Sequence, residues 1–292
     1  MKALITGANG QLGWELQRTR PDNWQLIALS RAELDITDRA AVKAVFKQYR
    51  PDLVINGAAY TAVDKAEREK DKAFAVNADG AANIARAAAE FQARLIHIST
   101  DFVFEGSKSK PYLPGDTPNP ISIYGISKLK GEQAVSAATK DAALILRTGW
   151  LYSMHGSNFV KTMLKLMAER EEISVVADQA GTPTWTRNLA KAIYDFAAMT
   201  EVQGIYHWTD AGIAGWYDFA VAIQEEAFRL GLLKNSIPVK PIRTEDYPTP
   251  AKRPPYSVLD KTSTWKTLGY TASHWRLSLK NMLTELNELY HA

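Results

Sequence analysis

The chain has 292 residues, of which 46% are hydrophobic and 23% charged, with a formal net charge of +3 and no cysteine. That composition supports a packed core rather than disorder, and it rules out disulfides, thiol nucleophiles and thiolate metal sites. Lys and Arg are interleaved with Asp and Glu, without the basic block of a nucleic-acid footprint, and no apolar run approaches the roughly 18 residues of a membrane span.

The first apolar run, ALI, is too short for a signal-peptide core. A cytoplasmic protein is expected, with no membrane and no nucleic acid among its partners. KALIT (2–6) reads as a buried strand, followed by glycines and a helical pattern in GWELQRT. QLIAL (25–29) is a second strand, and RAAVKAVFKQYR carries apolar residues at helical spacing. DLVINGAA (52–59) is a third strand, an Ala-rich helix is expected over about 71–91, and RLIHIST (94–100) is a fourth strand. A helix around Tyr124 to about 138 and a fifth strand, AALILRT (142–148), complete the alternation. Uniformly apolar strands alternating with helices predict an α/β fold, a Rossmann-type doubly wound parallel sheet covered on both faces.

The second half is more mixed. NFVKTMLKLMAER, TRNLAKAIYDFAAM, the stretch after Trp216 and SHWRLSLKNMLTELNELY read as helices, and ISVVAD and GIYHWTD as strands. Aromatics and prolines concentrate here, as suits a lobe that stacks on flat groups. Residues 1–148 are expected to form a dinucleotide-binding domain completed by elements near 186–209. Residues 149–292 are expected to form mainly a smaller mixed α/β substrate-binding lobe.

Residues 7–13 read GANGQLG, with glycines at i, i+3 and i+6. The 17 glycines placed at random would give about 0.06 such triplets. The loop follows a strand and opens a helix, as dinucleotide binding requires. Gly7 permits a tight turn, Gly10 lets the backbone approach a pyrophosphate, and Gly13 lets helix and strand pack closely. The second strand ends at Ser30-Arg31, where NAD sites often carry an acid for the ribose hydroxyls. An arginine there pairs with a 2′-phosphate and favours NADPH, with NADH as the alternative. A solvated loop arginine is the other reading of Arg31. Asp35 and Ile36 follow and could flank the adenine, although Asp35 also suits a turn before a helix.

The fourth strand ends in IST, so Thr100 could donate a hydrogen bond to a substrate carbonyl, with Asp101 beside it. Tyr124 and Lys128 follow, four residues apart and so on one face of a helix. Chance alone supplies about 0.8 Tyr-x-x-x-Lys pairs in such a chain, so the weight rests on the glycine loop and Thr100 upstream. A phenol is a poor acid or base near neutral pH. A neighbouring ammonium lowers its pKa and can also hold a nicotinamide ribose. Ketone reduction needs this set: one group to polarise the oxygen, one to protonate it, one to position the cofactor.

The stretches GANGQLGWEL, NGAAYTAVDKAE, VNADGAANIA, STDFVFEG, IYGISKLKGE, RTGWLY, NFVKTML and DQAGTPT are specific enough to compare. Through them the chain resembles the extended short-chain dehydrogenase/reductases and, among these, the dTDP-4-dehydrorhamnose reductase family, from residue 4 to about 260. The resemblance implies NADPH-dependent reduction of the C4 ketone of dTDP-4-dehydro-β-L-rhamnose. It leaves open another nucleotide-linked 4-keto-6-deoxysugar, or a non-catalytic dinucleotide-binding regulatory subunit. It implies that Gly10, Gln11 and Leu12 meet the pyrophosphate, and that Ala58, Ala59 and Tyr60 line the cofactor, with Tyr124 and Lys128 bordering it. It places Thr61 between cofactor and substrate, Thr100 and Asp101 on the sugar, and Tyr124 as proton donor with Lys128 as its partner. Trp150 would pack on the sugar or nucleotide. Asn158, Thr182, Pro183 and Arg253 would border the diphosphate. Some members of the family are dimers bridged by Mg²⁺ through three glutamates. Here two positions are Glu15 and Glu285 but the third is Arg187, which supplies no oxygen ligand. No structural metal is expected, and the chain is expected to be a monomer or weak homodimer.

Overall fold

The structure, a computed structural model, describes residues 1–291; Ala292, the last residue of the expected second lobe, lies outside the described residues. Its centre is a parallel sheet of six strands. They are β1 (Lys2–Thr6), β2 (Gln25–Leu29), β3 (Leu53–Asn56), β4 (Arg94–Thr100), β5 (Leu144–Thr148) and Gly204–His207. The spatial order is β2, β1, β3, β4, β5, Gly204–His207. The last strand comes from the second half of the sequence and pairs with β5 in the register Gly204↔Leu144 to His207↔Arg147.

Alternation along each strand sends side chains to two cores. Ala3, Ile5, Ile55, Ile96, Leu144 and Leu146 pack with Leu12 and Leu16 of α1 (Gln11–Arg18) and with Leu189 and Ile193 of the Thr186–Ala198 helix. Leu4, Val54, Leu95 and Ile145 pack on the opposite face with Phe46 of α2 (Arg39–Tyr49) and with Ile84 and Ala88 of the Ala81–Glu90 helix. Burial on both faces is why these strands read as almost continuously apolar. A third core lies outside the sheet. There the Phe159–Glu169, Trp216–Arg229 and Trp275–His291 helices gather Val160, Met163, Phe219, Ile223, Leu279 and Leu283. The parallel pair Ile173–Val176 and Val239–Ile242 flanks it.

Two elements differ from the sequence expectation in ways that shape the site. β3 ends at Asn56, not near residue 59, because from Gly57 the backbone leaves the sheet and lines the cleft described below. The Ala-rich stretch is not one uniform helix. It runs as α-helix over Lys70–Phe74, widens to π-helix over Ala75–Gly80 and returns to α-helix at Ala81. The wide turn accommodates Asn77, whose buried amide is fully engaged: Oδ1 accepts from the Tyr60 N–H at 2.8 Å, and Nδ2 donates to the Tyr60 carbonyl at 3.1 Å and to Ser127 Oγ at 2.9 Å. Single-turn π segments of this kind often mark functional positions.

Candidate active site

The strand order reverses between β1 and β3, since β2 lies beyond β1 and β4 beyond β3. The carboxyl ends at such a point open a crevice for ligands. Here Thr6 Oγ1 donates to Asn56 Oδ1 at 2.6 Å and accepts from the Ala58 N–H at 3.2 Å, and Asn56 Nδ2 meets His97 Nδ1 at 3.0 Å. These bonds tie together the carboxyl halves of β1, β3 and β4. Gly7 adopts φ +74°, and a side chain there would strike the Ala58 backbone. At Gly13 a side chain would run into the backbone of Gly7 and Ala8, so α1 packs directly on the turn. Gly10 caps α1 with no side chain over it, leaving the leading N–H groups open to an anion.

A cleft of about 710 Å³ runs along this edge. Gly7, Gly10, Gln11, Leu12, Gly13, Arg31, Asp35, Ile36, Ala58, Ala59, Tyr60 and Thr61 line one part of it, and Thr100, Asp101, Tyr124, Lys128, Trp150 and Arg253 are among the residues that line another. Arg31 is exposed, with its guanidinium 3.7 Å from Asp35. Asp35 accepts from the N–H and hydroxyl of Thr37, which hold its carboxyl below the usual range. Ser30 does not line the cleft: its hydroxyl and N–H both donate to Glu33, three residues on. That local turn competes with any ligand for the serine.

Thr100, Asp101, Tyr124 and Lys128 converge at the end of β4. Ser122 caps the Ile123–Thr139 helix by accepting from the Gly125 N–H, which fixes Tyr124 in its first turn. Thr100 Oγ1 donates to Asp101 Oδ1 at 3.1 Å, and its hydroxyl also faces that of Tyr124. Burial pushes the Tyr124 phenol up to about 12, and the Asp101 carboxylate adds to this. Asp101 is itself raised to about 6 by burial, against hydrogen bonds from Ser257 and Thr100. Lys128 is brought down to about 8 by burial, with the Glu132 carboxylate opposing. Its ammonium donates to the Ile98 carbonyl at 2.6 Å. The sequence-based expectation of a phenol lowered by the lysine is therefore reversed here, because desolvation dominates and the neighbouring charge that acts on the phenol is the Asp101 carboxylate, which adds to it.

Residues beyond β5 face this group with aromatics. Trp150 sits at φ +53° and stacks on Trp216, ring centroids 3.5 Å apart and planes within 2°. A non-glycine residue in the left-handed region persists only when its surroundings hold it. Trp216 and Phe159 behind it supply that support. Arg253 reaches the cleft, but its guanidinium is bidentate to Asp64 (2.7 and 3.1 Å) and also donates to Thr249 and to the Ala251 carbonyl. Asn158 does not line the cleft. It caps the Phe159–Glu169 helix and donates to Gln11 Oε1 at 3.1 Å. That bond is one of three that strap residues 153–158 to the glycine loop and α1, with His155 Nε2 to the Asn9 carbonyl (3.0 Å) and Ser153 Oγ to Glu15 (3.0 Å). Thr182 and Pro183 are buried away from the cleft, and Thr182 donates to the Gly212 carbonyl.

Four further residues belong to the site and carried no sequence assignment. Ser99 and Trp216 line the cleft, and Asn77 fixes the backbone that lines it. Thr148 also lines it, with a buried hydroxyl that has no hydrogen-bond partner among the described residues. RTGWLY ends β5 as IST ends β4, so a polar residue closing a central strand was the available signal.

At the suggested Mg²⁺ position, Arg18 and Arg187 lie among the carboxylates. Arg18 pairs with Glu15 at 2.9 Å and Glu285 at 3.3 Å, and Arg187 pairs with Glu285 and lies 3.8 Å from Glu15. Two guanidiniums against two carboxylates already balance charge, and they leave no oxygen set suited to a divalent cation.

The chain matches the RmlD substrate binding domain family over residues 1–288. A dTDP-4-dehydrorhamnose reductase from Aggregatibacter actinomycetemcomitans is 42% identical over 288 residues, 96% of this chain and 98% of that one. A crystal structure of a dTDP-4-dehydrorhamnose reductase from Clostridium acetobutylicum superposes with TM-score 0.91 at 43% identity, covering 98% of this chain and 99% of that one. A dTDP-4-dehydrorhamnose reductase from Bacillus anthracis, in complex with NADP, gives TM-score 0.91 at 40% identity over 97% and 99% of the two chains. With that coverage and its GANGQLG loop beside Thr100, Tyr124 and Lys128, the chain belongs to the RmlD substrate binding domain family, among the extended short-chain dehydrogenase/reductases.

Proposed function

We propose that this chain is an NADPH-dependent reductase that converts the C4 ketone of dTDP-4-dehydro-β-L-rhamnose into the alcohol of dTDP-L-rhamnose, a step of nucleotide-sugar biosynthesis. The observation that carries the reading is the convergence of Thr100, Tyr124 and Lys128 in one cleft with the glycine loop. The reductases named above, one of them with NADP, supply the substrate and the cofactor. Residues 1–148 with 186–209 would hold the cofactor and the remainder the sugar nucleotide.

Gly10, Gln11 and the open N–H groups of α1 would hold the pyrophosphate, and Arg31 the 2′-phosphate. When bound, the nicotinamide supplies the hydride that adds to C4. The chain supplies the rest. Tyr124, with its pKa at about 12, is protonated throughout the neutral range, the state a proton donor needs. The Thr100 hydroxyl beside it can donate to the same substrate oxygen. As the proton leaves, a phenolate forms in a buried site where charge is costly. The Lys128 ammonium, on the same helix face, is the group that offsets it. The Trp150–Trp216 stack offers a flat apolar wall for the sugar or base.

Product analysis tests the reading. Mixed with NADPH and dTDP-4-dehydro-L-rhamnose, the protein should release dTDP-L-rhamnose, one for each NADPH oxidised. NADPH binding with no oxidation would overturn the assignment of substrate.

A further inference from the structure

Glu132 lies one helical turn beyond Lys128 and is buried, yet it does not line the cleft. Its carboxylate accepts three hydrogen bonds: from Arg147 Nε at 2.9 Å, from Arg147 Nη2 at 2.7 Å and from Ser99 Oγ at 2.5 Å. All three donors point at the carboxylate oxygens, and the two from Arg147 make a bidentate guanidinium–carboxylate pair. Arg147 comes from β5, is itself buried, stacks over Phe104 and donates to the Pro114 carbonyl. Ser99 comes from β4 and does line the cleft. It lies between Ile98, whose carbonyl receives the Lys128 ammonium, and Thr100. A purely structural ion pair could be placed anywhere in the core. This one is anchored to the strand end and the helix turn that carry the reacting groups.

We propose that Glu132 is a positioning residue of the site: its carboxylate keeps the neighbouring Lys128 in its ammonium form and, through Ser99, pins the strand end that presents the Ile98 carbonyl and Thr100. The proposal rests on the reading of Lys128 given above. The groups facing Lys128 are few. His97 of β4 is buried and held neutral by that burial and by the lysine itself. Tyr124 precedes it on the same helix face and is protonated, and Asp101 lies by Tyr124 at the end of β4. Glu132 is thus the anion that acts on Lys128, and it works against the desolvation that favours the neutral amine. Arg147 stands behind the carboxylate and neutralises it for the core.

The test is the pH profile of kcat/KM in the wild type, in Glu132→Gln and in the doubly neutral Glu132→Gln/Arg147→Gln. The double variant leaves no unpaired buried charge, so it serves if the single variant does not fold. In both variants the alkaline limb should move to lower pH by roughly one unit. The pH dependence of NADPH binding should shift in the same direction, and that readout needs no turnover. A folded variant whose alkaline limb and NADPH binding both keep the wild-type pH dependence overturns the proposal. A wild type that binds NADPH with this pH dependence but reduces no keto-sugar would instead remove the reductase reading and leave the positioning role standing.

Discussion

The Lys128 ammonium donates to the carbonyl of Ile98 at 2.6 Å, which fixes a buried cation of the cleft to the end of the strand that carries Thr100. The lysine is brought down to about 8, from an ordinary 10.5. If the ammonium is the working form, activity should fall as pH rises through about 8. Stability should respond with the opposite sign. Between about 8 and 10.5 the unfolded chain binds the proton and the folded one does not, so this group's contribution to stability rises with pH across that window. A pH–rate profile beside a thermal-denaturation series separates the two, since activity lost together with fold would contradict the assignment.

Arg31 stands exposed at the end of β2 with only a loose contact to Asp35. A 2′-phosphate can recruit it at little cost. Arg31→Ala should lower kcat/KM for NADPH by about tenfold, the worth of one charge-assisted pair, and leave the value for NADH almost unchanged. Equal losses with both cofactors would place the arginine elsewhere in the mechanism.

The Glu15, Arg18, Arg187 and Glu285 cluster predicts indifference to divalent metal. Chelation with EDTA should alter neither turnover nor Tm. Arg187→Glu should convert the cluster into three carboxylates facing Arg18, and Mg²⁺ should then raise Tm where it does not in the wild type. Loss of wild-type activity on chelation would sink this account of the cluster.

Asn77 bonds both backbone groups of Tyr60 and the Ser127 hydroxyl from within the π-helical turn. Asn77→Ala leaves the Tyr60 N–H without that partner. The expected cost is about 2 kcal/mol, read as a drop in Tm, with a larger KM for NADPH because the 58–61 segment loses its anchor. An unchanged Tm would show that water replaces the amide.

The sequence made the sheet legible because its central strands are buried on both faces, and KALIT and RLIHIST fall on β1 and β4 without adjustment, as QLIAL does on the half-buried edge strand β2. The glycine loop was legible because its spacing is improbable and its roles are backbone roles. What escaped depends on tertiary packing. The π turn holds one buried amide that bonds the chain at Tyr60, and alanine-rich composition gives no sign of it. Ser30, at the end of the second strand, was expected among the cofactor-binding residues, but Glu33 three residues later takes its hydroxyl. Asn158 looked like a diphosphate contact, but it caps a helix. The tyrosine's pKa was misjudged in direction, since spacing shows which charge is near and not how much water is lost. Thr148 and Trp216 are single residues whose value comes only from the cleft they face.

The most direct test of the central claim is the Tyr124→Phe variant, assayed for turnover with NADPH and dTDP-4-dehydro-L-rhamnose and, in parallel, for NADPH binding. The ring and its packing against Phe102 remain, and the hydroxyl that carries the proton is lost. Turnover lower by about 10²-fold or more, with NADPH bound as in the wild type, is the predicted result. Turnover close to that of the wild type would contradict the account and move the proton donor elsewhere in the cleft.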